Sequence, residues 1–336
     1  MLEIANRTPF AVQLYSALDK DCYDYAVIVI KALCHIVDKA PLQLIPDKAT
    51  IYPADKHFGK PQSTSVEYAS DLVRTKLLTD VVVNGCAYAP HTNCSSLDIG
   101  IQIANKRIIR RVFGNRFWVK SLSGWQMTQP QPFEVMSLTY EHAFGGSHFD
   151  ANQQLVDSFS YNPVGKGYTS VLTNEPYEGQ PLPNVELPQH LIGHWNDQPQ
   201  PAALGFLGSD WQDRKIYQGT YDEAWQRNRA PLLPEDFDER FFNAAPRDLQ
   251  VPHLRGGEYM QLIRLTQSGN LSFQIPQWQV KTCFIAKGNA FDIFPVLDTV
   301  VIEPEKMQAQ LTWRASVKCF NQFLFIDKVI VSAKDA

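Results

Sequence analysis

The sequence predicts a mainly β protein, built from antiparallel, sandwich-like sheets with an ordered, loop-rich central region and a few short helices. Three observations predict it. Apolar and polar residues alternate with a period of two in the first third of the chain and again after Leu254. Thirteen of the 22 prolines fall between Pro130 and Pro252, where they remove the backbone donors that a regular sheet or a long helix needs. The runs with helical spacing are short and lie inside that proline-rich centre.

Taken in order, Phe10, Val12 and Leu14 form one face of a first strand. Residues 25–36 are apolar and rich in β-branched side chains, as a central strand covered on both faces requires. Residues 97–103 alternate most clearly; Asn105 and Lys106 then offer a turn into residues 107–113, which predicts a hairpin. The centre carries Trp195, Trp211 and Trp225, so it is too aromatic for a disordered linker and is expected to pack across the sheets. Thr220 and Glu223 make a capping box ahead of Tyr221, Ala224, Trp225 and Asn228, with Pro231 ending that helix. A second helix is expected to start near Pro234, to place Phe237 and Phe241 one turn apart, and to stop before Pro246. A second hairpin follows, with residues 259–266, a turn at 268–270, and Leu271, Phe273 and Ile275 on one face. Residues 280–286, 299–302, 311–317 and 323–331 extend the β character. No fixed-period repeat is present, and the chain reads as one unit, 1–336, with possible lobes at 1–128, 129–254 and 255–336.

Composition narrows the function classes. The 336 residues include 31 basic and 35 acidic side chains, a formal charge of −4, which lacks the basic excess that a phosphate backbone demands, so nucleic acid is not an expected partner. The apolar run Ala26 to Ile30 stops at Lys31, far short of the roughly 20 residues of a spanning helix, so no membrane partner is expected. The N-terminus has no basic segment followed by a signal-length apolar run, and the expectation is a cytoplasmic protein. Cys22, Cys34, Cys86, Cys94, Cys283 and Cys319 are scattered without Cys-x-x-Cys spacing, as expected of reduced thiols.

The search for chemistry yields weak candidates. Residues 162–168 contain a Gly-Lys pair, but Ser160 and Gly167 stand where a phosphate loop needs glycine and a hydroxyl, and a glycine turn is the stronger reading. Glu186, His190 and His194 recur every four residues and could hold a metal on a helix, although Pro188 and Gly193 oppose that helix. Cys86, His91 and Cys94 supply three ligands at most. No serine sits in a Gly-x-Ser-x-Gly elbow. Asp222, Glu223, Glu235, Asp236, Asp238 and Glu239 are open to pairing as in a glycoside hydrolase, though a solvated acidic helix face explains them better. Lys106, Arg107, Arg110, Arg111, Arg116 and Lys120 form a basic run that either docks an acidic partner or guards a strand edge by charge. No catalytic residue, metal or cofactor is expected from these readings.

Three strings taken together are distinctive: Tyr140-Glu141-His142-Ala143-Phe144-Gly145-Gly146, Asn162-Pro163-Val164-Gly165-Lys166-Gly167-Tyr168, and Leu182-Pro183-Asn184-Val185-Glu186. In this order the chain resembles the type VI secretion accessory family labelled domain of unknown function 2169. The resemblance continues through Trp211 and Arg214, Tyr221-Asp222 with Trp225, residues 231–237, Ala245-Pro246 and Leu254-Arg255-Gly256-Gly257-Glu258. It reaches Asp71, Lys76 and Asp80 on one side and Trp313-Arg314 on the other. What the resemblance implies is a non-enzymatic adaptor or chaperone for a secreted effector, engaging its PAAR domain or N-terminal region and helping to load it onto the spike protein. Tyr140, Phe144, Gly145, Gly146, Asn162, Pro163, Gly165, Gly167, Glu186, Arg214, Tyr221, Trp225 and Glu258 are then the expected partner-binding or structural motif residues. Phe144 beside two glycines has the character of an interface anchor, with internal packing against the sheets as the competing role.

Overall fold

A computed structural model describes residues 3–319 and 326–334; of the run expected at 323–331, Phe323, Leu324 and Phe325 lie outside the described residues. The largest sheet is organised around the strand Asp24–His35. Its neighbours are Ala11–Leu18 and Gln43–Ile45 on one side and Gln308–Lys318 on the other. Beyond Gln308–Lys318 come Val296–Glu303, Thr79–Val83 and Gln250–Val251. Every ladder in this sheet is antiparallel except that between Val296–Glu303 and Thr79–Val83.

The β-branched run at 26–30 is fully buried, because both faces of its strand are covered. One face sends Ala26, Ile28, Ile30, Ala32 and Cys34 into the main apolar core. The other carries Lys31 opposite Thr312 and Val29 opposite Arg314. That polar face is closed by Asp71, which accepts from Lys31 Nζ and the Tyr52 amide, each at 2.8 Å. Arg314 donates to Asp298 at 2.6 Å; burial works against its charge, but the carboxylate beside it raises its pKa on balance. Lys76 and Asp80, 2.7 Å apart, form a third buried pair, tied to Thr299 and Asn243. The charges at 71, 76, 80 and 314 are therefore internal struts.

A second sheet runs Val185–Glu186, Lys106–Phe113, Ser96–Ile103, Tyr259–Ile263, Asn270–Gln274 and Ala40–Pro41. It contains both expected hairpins, with Ile103 opposite Lys106 and Ile263 opposite Asn270 at their tight ends. A third sheet orders Glu3–Asn6, Ile326–Lys334, Gln279–Ala286 and Asn289–Ile293. Ile28 and Leu311, Ile101 and Leu262, and Phe284 and Val329, contributed by the three sheets in turn, meet in one core. Strands from 1–128 and from 255–336 alternate within the large sheets, so these segments share their cores.

The centre is ordered loop with short two-stranded pieces, and its helices differ from expectation. The first is Glu223–Asn228, capped by Asp222, whose side chain accepts from the Trp225 amide at 2.8 Å. Thr220 instead donates to Asp236 through its amide and hydroxyl, so the expected capping box does not form. The helix expected over 234–245 is replaced by one 3₁₀ turn, Glu239–Phe242, and a second turn, Arg247–Leu249, follows it. Asp238 caps the first of these by accepting from the Arg240 amide, and Pro246 separates the two. Gln212–Lys215 is a helix that the sequence pattern missed. Among the described residues no helix is long and apolar enough to cross a membrane.

Candidate functional site

The three distinctive strings converge. Tyr140–His142 forms a 3₁₀ turn and Phe144–Gly145 a short strand, which pairs in parallel with Lys166–Gly167. Asn162 locks the crossing: its fully buried Nδ2 donates to the carbonyls of Tyr140 at 2.8 Å and Phe144 at 2.9 Å, while its own carbonyl accepts from Gly146 N at 2.9 Å. Pro163 O accepts from Ser147 Oγ at 2.8 Å. Gly145 has φ +149°, and a Cβ there would overlap the Asn162 carbonyl oxygen. Gly167, at φ +97°, would place a Cβ 2.8 Å from Pro183 Cδ. Gly146 and Gly165 line the same crossing, where the Gly165 amide turns toward Asn162 O at 3.4 Å.

The aromatic side chains of the strings point inward. Tyr140 meets Trp211 edge-on with ring centres 4.8 Å apart, and Phe144 meets Phe159 at 5.0 Å. Phe144 also packs with Trp118, Tyr168, Leu182 and Ile192, so its anchoring contact lies within this chain. Asn184, fully buried, donates through Nδ2 to Phe113 O at 3.0 Å and Asn115 Oδ1 at 3.2 Å, which turns its Oδ1 to His142 Nδ1 at 3.0 Å. Lys166 Nζ lies 3.5 Å from the same ring nitrogen, and desolvation lowers the pKa of both His142 and Lys166.

Glu186 is buried and ion-paired with Arg116; its other oxygen accepts from the Ile192 amide at 2.8 Å. The Arg116 guanidinium also donates to Pro183 O at 2.9 Å and lies 3.8 Å above the Phe113 ring. This settles the spacing of Glu186 with His190 and His194. The segment is a loop, Glu186 is spent on Arg116, and His194 bonds Asn196, so the trio does not converge on one helix face. Among the described residues no group of three His, Cys, Asp or Glu side chains is placed to hold a metal ion. Burial pushes the Cys86 thiol up to about 12, and Cys94 is buried with its thiol on Ser96 O.

The other expected residues are dispersed. Tyr221, half exposed, meets Trp225 edge-on at 4.7 Å, and Trp225 Nε1 donates to Leu232 O at 2.8 Å. Glu258 accepts from the amides of Arg255 at 2.7 Å and Gly256 at 2.9 Å, closing a turn. Arg214 is buried, with Nε on Phe241 O at 3.1 Å and an Nη on Leu207 O at 3.0 Å. Among the acids, Asp222 and Asp236 serve local backbone bonds, while Glu223, Glu235, Asp238 and Glu239 pair with Arg227, Arg229, Arg240 and Arg74. The basic run divides as its strand alternation requires: Arg110 is buried against Asp248 at 2.6 Å and Arg111 pairs with Asp98 on the outside.

Sequence reasoning missed the surface mounted on this crossing. The strands Ser147–Phe149 and Leu155–Ser158 form a hairpin that brings Phe149 opposite Leu155. Asp157 Oδ2 ties the hairpin to the following loop by accepting from Tyr168 OH at 3.0 Å, Ser170 Oγ at 2.9 Å and Val171 N at 3.0 Å. Phe149, Leu155, Val156, Tyr161, Val171, Leu172 and Tyr177 make up seven of the 22 exposed large apolar residues among those described, within 29 positions of the chain. Such density along the chain exceeds the scattered single exposures of an ordinary surface. Its residues follow no period, and the available signal was their enrichment on both sides of the string at 162–168.

A family model described as an uncharacterized protein conserved in bacteria (DUF2169) matches residues 21–314, and the chain belongs to that family. No curated protein and no solved structure matches it.

Proposed function

We propose that this member of the DUF2169 family is a non-enzymatic adaptor or chaperone of the bacterial cytoplasm. It binds a type VI secretion effector through the effector's PAAR domain or N-terminal region and helps to load it onto the spike. The observation that carries this reading is the division of labour around the crossing. Asn162, the glycines, Tyr140 and Phe144 are spent on fixing the backbone, whereas Phe149, Leu155, Val156, Val171 and Leu172 are left to solvent on the hairpin and loop that Asp157 joins. A rigid mount for an apolar surface is what a stable protein contact needs, because little ordering cost remains to be met on binding. Glu186 is committed to a buried pair with Arg116, and Glu235 and Asp238 pair with Arg229 and Arg240 nearer the surface.

Co-expression with a candidate effector that carries a PAAR domain, followed by purification through a tag on one partner, tests the reading. A stable complex burying at least about 1,000 Å² is expected. The double substitution Leu155→Glu and Val171→Glu should weaken it at least tenfold without moving the melting temperature. If the partners never co-elute and effector secretion survives deletion of this gene, the adaptor reading fails.

A further inference from the structure

Among the described residues seven cations are buried, and six have a carboxylate within ion-pair distance: Lys31, Arg74, Lys76, Arg110, Arg116 and Arg314. Arg214 is the exception among the described residues, although it is only 6% exposed. Its two bonds go to uncharged carbonyls, those of Phe241 and Leu207. A buried charge normally has a charged partner, because desolvation is otherwise uncompensated. Arg214 lines a cavity of about 340 Å³ that could admit one.

The rest of that lining suits an anion with apolar neighbours. Arg247, whose Nη2 donates to Tyr217 OH at 2.8 Å, and Arg240, stacked 4.4 Å from the Tyr217 ring, add positive charge. Arg240 is already paired with Asp238, whereas Arg247 has no carboxylate within ion-pair distance among the described residues. Leu77, 47% exposed, lies on the same wall. Asp213 is the one carboxylate that lines this groove, and with Arg247 it also borders a neighbouring cavity of about 410 Å³. The single carboxylate of Asp213 and the leucine wall disfavour a free, doubly charged oxyanion. A monovalent carboxylate carried between apolar side chains satisfies both.

We propose that this groove receives a side-chain carboxylate of the client protein, bound by Arg214 with Arg247 at its side, while the client's flanking apolar residues lie against Leu77. The proposal rests on the adaptor reading and assigns a chemistry to the partner. It also gives Arg214 a carboxylate at ion-pair distance, in addition to the Phe241 ring 5.0 Å from its guanidinium and the more distant field of Asp55, Asp80 and Asp210.

The test uses the full chain with two labelled peptides, acetyl-Leu-Glu-Leu-amide and acetyl-Leu-Gln-Leu-amide, with inorganic phosphate as competitor. The Glu peptide should bind at least tenfold more tightly than the Gln peptide, and Arg247→Glu should remove that preference. If Arg247→Glu impairs folding, Leu77→Glu supplies the second variant, since a resident carboxylate at the mouth should weaken the Glu peptide at least tenfold. Equal binding of both peptides, binding of neither, or binding of phosphate without the Glu peptide would overturn the proposal. A client complex that forms but tolerates Arg247→Glu and Leu77→Glu sinks the groove alone; selective peptide binding without any client complex sinks the adaptor reading alone.

Discussion

The Asn162 side chain spans two turns of backbone, donating to the Tyr140 carbonyl at 2.8 Å across 22 residues of chain and to the Phe144 carbonyl at 2.9 Å. Asn162→Ala removes both bonds from a fully buried site; the Phe144 carbonyl loses its side-chain donor, and the Tyr140 carbonyl keeps only the Ala143 amide at 3.1 Å. A loss of about 1–3 kcal/mol is expected in urea unfolding, the usual cost of one orphaned buried group. Wild-type stability of the variant would contradict the locking role.

Arg116 and Glu186 should behave as a unit. Glu186→Ala leaves a buried guanidinium without its counter-ion, for which about 3–5 kcal/mol is the usual cost. Removing both partners, as Arg116→Met with Glu186→Met, should recover a large part of that loss. A double-mutant cycle of thermal unfolding measures the coupling, and additive effects of the two changes would argue against it.

Acid should loosen the apolar surface before the sheets. Although desolvation acts the other way, the bonds from Ser170, Val171 and Tyr168 hold the Asp157 carboxyl below its ordinary 3.8. Because the folded pKa lies under the unfolded one, the contribution is complete above the ordinary carboxylate range and disappears as pH falls through the folded value. Hydrogen exchange at 155–158 and 168–172 should therefore rise below about pH 4 earlier than exchange in the strand at 24–35. Asp157→Asn should show the same loosening at neutral pH.

The thiols should divide by burial. Cys22 is exposed, Cys34 and Cys94 are buried, and desolvation pushes Cys34 up to about 12. Iodoacetamide at pH 8 should label Cys22 in the native protein and reach Cys34 and Cys94 only on unfolding, because the thiolate is the reactive species. Mass spectrometry reads the pattern directly; labelling of Cys34 in the folded state would place that strand elsewhere.

Local pairing was legible in the sequence, and distant pairing was not. The hairpin of Ser96–Ile103 with Lys106–Phe113 could be read because its alternation and its turn lie within 18 residues. The parallel ladder between Thr79–Val83 and Val296–Glu303 could not, since nothing in either run names a partner more than 200 residues away. Asp222 rather than Thr220 caps the short helix because Asp236 engages the Thr220 hydroxyl, a contact set by tertiary packing. The partner of Glu186 was hidden for the same reason: its spacing with His190 and His194 was visible, while Arg116 lay 70 positions distant. The strings that converge at Asn162 were apparent as strings, and internal packing was one of the two roles expected for Phe144, but the crossing that buries it was not.

The placement of Gln308–Lys318 beside Asp24–His35 also bears on how the protein is made. On one side the older strand meets Ala11–Leu18 and Gln43–Ile45 early, but its other edge stays open until residues beyond 308 have left the ribosome. For most of translation the nascent chain carries an unpaired, β-branched edge of the kind that aggregates. Holdase protection during synthesis is a natural requirement of this topology, and polypeptides released before residue 308 should accumulate as insoluble material.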